Sequence, residues 1–262
     1  MSRCKAAFAV GAHPDDVEFM MAGTLILLGR AGYDLHIMTL ANGSCGTIEL
    51  TREEIIEIRE KEARDAAALI GATYHPGLVY DIDVMYEPGL LARVGAVMRE
   101  VNPEIVLAPS PNDYMEDHQN TSRLAVTALF CKGMPNFPTD PPVAPAAGDA
   151  FLYHASPYGL RDGMQNLVVP DHYVDISEVI DTKERMLACH RSQKEWLDVS
   201  QGLDAYLTTM REMSARVGEM SGKGWSYAEG WRRHLHLGLS ERDEDRLAQV
   251  LGDRLAPASG RG

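Results

Sequence analysis

The chain has 262 residues, a formal net charge of −13 and 45% hydrophobic residues. That length and apolar share suit one large α/β domain with a sizeable core, and the acidity argues against a nucleic-acid or anionic-membrane partner. The four cysteines (Cys4, Cys45, Cys131 and Cys189) are scattered with no CxxC pair, which argues against a disulfide scaffold or a cysteine-rich zinc site and fits a reducing, cytoplasmic setting; no apolar run resembles a signal peptide or approaches the roughly 20 residues of a membrane span.

The first element is a short apolar strand, residues 7–10, ending in the turn His13-Pro14-Asp15-Asp16. Ligands sit at such strand ends in open α/β sheets. Pro14 restricts the backbone so that His13 and Asp16 can reach one divalent cation. Asp15 then points elsewhere, free for acid–base work beside the metal. The plain alternative is a polar turn in which Asp15 or Asp16 caps the next helix.

Residues 20–31 read as a helix closed by Gly32, and residues 33–40 as a second strand, with His36 a packed strand residue. The loop 41–50 carries Gly43 and Gly46, which allow tight turns and could cradle a small polar ligand. Thr51 and Glu54 form a capping box. The helix that follows runs to residue 70 with Ile56, Ala63, Ala67 and Ile70 as its inward stripe. Arg59 lies on that stripe, where a guanidinium needs an anionic or carbonyl partner. A structural ion pair would satisfy it, as would a ligand.

Residues 72–81 hold a short strand, 88–101 a helix and 105–108 a buried strand. The alternation implies a parallel sheet with right-handed crossovers. A second polar turn, residues 109–118, follows, and His118 is its natural metal ligand. His13, Asp16 and His118 together would leave a zinc coordination position open, the mark of a catalytic site. Asp117 is expected to cap a helix over 119–131, or to orient His118, as is Asp113.

Residues 133–149 are Pro- and Gly-rich, a lid, an oligomer contact or a surface loop. Strands are expected at 151–154 and 173–176. Ser177 is expected to cap a helix to residue 190, with Lys183 and His190 packing or capping. A helix over 203–218 places Met210 and Met213 in the core. Over 225–239, His234 and His236 alternate with leucines, and the tail from residue 256 is expected to be disordered.

The run AHPDD with Gly23-Thr24, the pattern Arg59-x-x-Glu62-Ala63, the set Asp113, Asp117 and His118, the segment 175–193 and Tyr227-Ala228-Glu229 together resemble the PIG-L/LmbE-like zinc-dependent N-deacetylases. The resemblance implies a Rossmann-like three-layer sandwich: a mostly parallel sheet flanked by helices, plus a C-terminal helical extension. One domain would cover residues 1–255, mostly helical from 175, before the tail at 256–262. It implies Zn²⁺ as cofactor on His13, Asp16 and His118, with metal-bound water attacking an amide and Asp15 as general base and acid. Arg59 would lie near substrate, and Asp113, Asp117 and His236 are further substrate-side candidates. The implied substrate is a small N-acetylated sugar of N-acetylglucosamine type or a conjugate of one. The implied assembly is a homo-oligomer, a trimer or hexamer. The family commonly has a histidine where this chain has Met115, assigned to polarise the acyl oxygen or protonate the leaving group. His234, His236 and, more weakly, His172 are candidates for that lost donor. A catalytically silent metal- or sugar-binding module and an amidase on larger thiol–sugar conjugates are the alternatives. A dinucleotide site fails, because the first turn offers carboxylates where a pyrophosphate needs backbone N–H groups.

Overall fold

The structure is a computed structural model, which describes residues 5–193 and 206–258. Its centre is β1 (Ala6–Gly11), six residues all buried. Ala7 and Ala9 face one apolar cluster, and Ala6, Phe8 and Val10 face the other. Burial on both faces requires a layer on each side, which is why β1 reads as a continuous apolar run.

In chain order there follow α1 (Asp16–Met20), α2 (Ala22–Arg30), β2 (Asp34–Thr39), α3 (Arg52–Ala68), β3 (Thr73–His75), α4 (Pro88–Val101), β4 (Ile105–Ala108), α5 (Glu116–Cys131) and β5 (Phe151–Ala155). Then come β6 (His172–Asp175), α6 (Ile180–Leu187), α7 (Tyr206–Ser221), β7 (Ala228–Arg233), α8 (Arg246–Leu251) and β8 (Leu255–Pro257). The sheet order is β3-β2-β1-β4-β5-β7-β6-β8. The pairings from β3 to β5 are parallel, and those from β5 to β8 antiparallel. Helices α4 and α5 cover one face, while α2, α3, α6 and α7 pack on the other. The three-layer α/β reading of the sequence holds. The chain direction of the connections reverses between β1 and β4, so the loops after these two strands open a crevice at their carboxyl ends.

Local chemistry sets most boundaries. Thr51 and Glu54 form the reciprocal capping box at α3, and Pro88 opens α4 behind the Glu87 side chain. Several expectations change. The inward residue at the start of α3 is Ile55, not Ile56. Ser177 caps no helix: its hydroxyl bonds Asp175 and the Tyr227 backbone, stitching β6 to the segment before β7. The region from 175 supplies two strands, β7 and β8, as well as helices. Ala256 is buried in β8 against β6 rather than disordered, because an edge strand satisfies its backbone by pairing whatever its composition. The loop 133–149 is held on the α4 side, where the Arg99 guanidinium donates to the carbonyls of Lys132, Met134, Phe137 and Val143 at 2.7–3.0 Å. The start of the helix expected over 203–218 lies outside the described residues, and α7 extends past its expected end to Ser221.

Candidate active site

The loops after β1 and β4 meet over the sheet edge. His13, Asp16 and His118 each offer a donor atom, and these atoms lie within 4.8 Å of one another. His118 Nε2 is 3.4 Å from Asp16 Oδ1, and His13 Nδ1 is 3.6 Å from Asp16 Oδ2. Two imidazoles and a carboxylate in one crevice are a fitting donor set for a divalent cation of zinc type. Asp16 is itself fixed by the turn, since Oδ2 accepts from the backbone N–H of Ala12 and His13.

Each histidine is oriented by a further carboxylate. His118 Nδ1 lies 3.0 Å from Asp113 Oδ1, and His13 Nε2 lies 2.9 Å from Asp117 Oδ2. Asp117 thus pairs with His13, not His118. It caps nothing, since α5 begins at Glu116, and its carboxylate also accepts from the Ile82 backbone. Burial works against a charged His13, but the bonds to Asp117 and Asp16 outweigh it and hold the ring at about 9. Burial opposes charge on His118 too, and the Asp16 carboxylate and the Asp113 bond raise it well above the usual imidazole range. These imidazole protons are what a cation would displace.

Asp15 stands apart from that donor set. Its φ of 111° places a non-glycine residue in the left-handed region, a strained setting that functional sites often hold. The neighbouring carboxylates diverge: Asp16 faces the imidazoles, and Asp15 faces Arg59 and Tyr206. Asp15 Oδ1 is 3.5 Å from Arg59 Nη2, and Oδ2 accepts from the Tyr206 hydroxyl. Burial raises the Asp15 carboxyl above its ordinary range, and the Arg59 charge opposes that rise. Arg59 also donates to the Pro14 carbonyl. Gly43 and Gly46 make room for it: a Cβ at either would sit 2.5 Å from its side chain. The backbone N–H groups of Gly43 and Cys45 go to the Asp81 carboxylate, so this loop cradles an internal guanidinium and carboxylate. A cavity of about 510 Å³ opens over these groups and includes His13, Asp15, Asp16, Arg59, Asp113, Asp117 and His118 in its lining.

Residues 8–129 match the family model PIG-L: GlcNAc-PI de-N-acetylase. Over that span the chain is similar to the PIG-L family. It is 29% identical over 235 residues to the diacetylchitobiose deacetylase of Thermococcus kodakarensis, covering 87% of this chain and 82% of that one. It is also 28% identical over 239 residues to the 4-oxalmesaconate hydratase of Pseudomonas putida, covering 86% and 88%. Among solved structures, an inhibitor complex of the N,N'-diacetylchitobiose deacetylase from Pyrococcus horikoshii matches with a TM-score of 0.75 at 25% identity, covering 94% of this chain and 89% of that one.

The proposed replacements for the histidine absent at Met115 lie elsewhere. Among the described residues, none of His172, His234 and His236 lines the cavity. His236 sits with Leu239 and Glu244 beside β5, and its Nδ1 is 3.4 Å from Asp243. His234 Nδ1 is 3.0 Å from His154 Nε2, and His172 is held between Asp171 and Asp245. Lys183 and His190 are buried ion-pair partners of Glu229 and Glu18. Sequence reasoning passes over Tyr206 and Asp81, which carry no local motif. Asp81 lies in a turn and Tyr206 on α7, and neither residue type stands out in such a place.

Proposed function

We propose that this chain is a zinc-dependent hydrolase that removes an N-acetyl or other N-acyl group from an N-acetylglucosamine-type sugar. One observation carries the reading: Asp15 lines the same cavity as the His13–Asp16–His118 set, yet its carboxylate is spared from that set. His13, Asp16 and His118 would hold the ion. When bound, it supplies Lewis acidity and lowers the pKa of coordinated water toward about 7. Asp15 accepts the proton of the attacking water at a carboxylate oxygen, as the new C–O bond forms at the acyl carbon. It returns that proton to the amide nitrogen as the C–N bond breaks, so that a carboxylic acid and an amine leave. Burial, by raising its carboxyl, suits Asp15 to carry a proton briefly. Asp113 and Asp117 keep the two imidazoles aimed. The names of the deacetylase relatives support the N-acetylated sugar.

Met115 favours a second reading, in which the fold binds metal or sugar without deacetylating, or adds water to a carbon–carbon double bond as the hydratase relative's name implies. Acetate release by the zinc-loaded chain from a panel of N-acetylated amino sugars separates these readings. Silence across the panel at full metal occupancy overturns the hydrolase. A cytoplasmic setting is proposed with it, supported by the absence of any disulfide among the described cysteines. The homo-oligomer is a proposal that light scattering tests. Among the described residues no helix is long and apolar enough to cross a membrane.

A further inference from the structure

The charge around this cavity is lopsided. Among the described residues its lining holds six carboxylates, Asp15, Asp16, Asp81, Asp113, Glu116 and Asp117, and one guanidinium, that of Arg59. Arg59 is 2% exposed and already engaged with Pro14 and Asp15. Arg161 and Arg232, on neighbouring segments, lie outside that lining and donate to the Gln165 carbonyl and to Asn112 Oδ1. A divalent cation on the donor set leaves the lining negative. An anionic group entering here would lose its hydration and meet like charge. An ammonium product would meet the opposite.

One wall of the cavity is aromatic. Phe19 packs on Tyr158 with ring centroids 5.2 Å apart, and Tyr158 lies 6.3 Å from Tyr114. Tyr114 stands edge-on to His118 at 5.8 Å, so the wall begins at the donor set and runs outward. Tyr114 is 51% exposed and Tyr158 39%, and neither hydroxyl donates to another described residue. Core packing does not account for aromatic faces left open beside a buried polar centre. Such faces stack on the C–H face of a pyranose or offset on an aryl ring.

Building on the hydrolase reading above, we propose that the site selects uncharged N-acyl glycosides with an apolar or aryl aglycone, stacked on Tyr114 and Tyr158, and rejects substrates carrying a carboxylate or phosphate. The chemistry is the same hydrolysis: water adds to the acyl carbon, the C–N bond breaks and the nitrogen keeps the proton. Selection operates on the part of the substrate that does not react.

The test uses the full-length zinc-loaded enzyme with phenyl, 4-carboxyphenyl and methyl N-acetyl-β-glucosaminides, and kcat/KM is read by acetate release. The phenyl glycoside is expected to exceed the carboxyphenyl one by at least tenfold and to exceed the methyl one. In Tyr158→Ala the phenyl-to-methyl ratio is expected to collapse toward one. Equal or better turnover of the carboxyphenyl glycoside, or an unchanged phenyl-to-methyl ratio in Tyr158→Ala, overturns the proposal. If no glycoside releases acetate, the hydrolase reading fails. Equilibrium titration of the zinc-loaded Asp15→Asn variant, followed by tyrosine fluorescence, then decides the selection by itself: tighter binding of the phenyl than of the carboxyphenyl glycoside upholds it, and the reverse order or equality overturns it.

Discussion

Tyr206 donates its hydroxyl proton to Asp15 Oδ2 across 191 positions of sequence. The two residues share a buried corner with Arg59, which approaches the other oxygen of the same carboxylate. A base held at both oxygens is aimed before substrate arrives, and aiming is a large part of what a site supplies. Tyr206→Phe keeps the ring and removes only the donor. The expected outcome is a kcat about tenfold lower, the size of one charge-assisted hydrogen bond, with KM and zinc stoichiometry unchanged. An unchanged kcat would show that Asp15 needs no such support.

The carboxylates behind the two imidazoles make a different prediction. Asp117 meets His13 and Asp113 meets His118, fixing ring orientation before an ion binds. Asp117→Asn or Asp113→Asn is therefore expected to weaken zinc binding by about 10- to 100-fold, read by competition against a chromophoric chelator. Asp15→Asn is expected to bind zinc as the unmodified chain does while losing at least about 100-fold in turnover. Loss of zinc in Asp15→Asn would move that residue into the donor set.

Much of this arrangement is legible in the sequence because it rests on short-range chemistry. The turn His13-Pro14-Asp15-Asp16 announces donors at a strand end, and residues 105–108 and 88–101 coincide with β4 and α4. Apolar run, proline and strand end are all local signals there. What stays hidden depends on distant pairing. Tyr206 looks like one more apolar residue of a periodic helix, and nothing nearby says that its hydroxyl meets Asp15. Ala256 lies in a stretch of small residues whose order comes entirely from the ladder with β6. Asp117 reads equally as a cap or a partner of His118, and only the meeting of two loops gives it to His13. His236 alternates with leucines as a site residue on a strand would, yet it lies past the end of β7.

The Glu229 carboxylate holds the sheet to the helix layer and predicts a folding defect. It accepts from the backbone N–H of Gly23 and Thr24 at 2.8 and 2.7 Å and from Lys183 Nζ at 2.6 Å, with Glu229 and Lys183 both almost fully buried. A Cβ on Gly23 would lie 2.6 Å from Ile176 Cγ2, so the helix comes this close only with glycine there. Glu229→Ala strands the Lys183 ammonium and two N–H groups, and is expected to cost about 3–5 kcal/mol in urea unfolding. The double variant Glu229→Leu with Lys183→Met removes both charges and is expected to recover part of that loss. A double variant no more stable than Glu229→Ala would locate the cost in the unmet N–H groups.

The last prediction concerns pH and the packing of the C-terminal segment. His172 on β6 lies 2.5 Å from Asp171 Oδ1 and 2.6 Å from Asp245 Oδ2, and Asp245 caps α8 by accepting from Ala248 N–H. Burial disfavours charge on this imidazole, but the bonds to the two carboxylates prevail and raise it to about 9 from 6.5. A raised histidine stabilises the fold fully below its unfolded value, and the stabilisation is lost as pH climbs toward the folded one. Burial pushes Asp245 up, yet the His172 bond and the Ala248 amide hold it down at about 2. That contribution is present above about 4, the unfolded aspartate range, and is lost as pH falls toward 2. Stability carried by this pair is therefore greatest between about 4 and 6.5 and declines on both sides. His172→Gln is expected to cost about 1.5–3 kcal/mol at pH 6, as a lost hydrogen bond to charge does, and to flatten the alkaline decline between pH 6.5 and 9. A variant whose unfolding free energy runs parallel to that of the unmodified chain across that window would show that another group sets the alkaline limb.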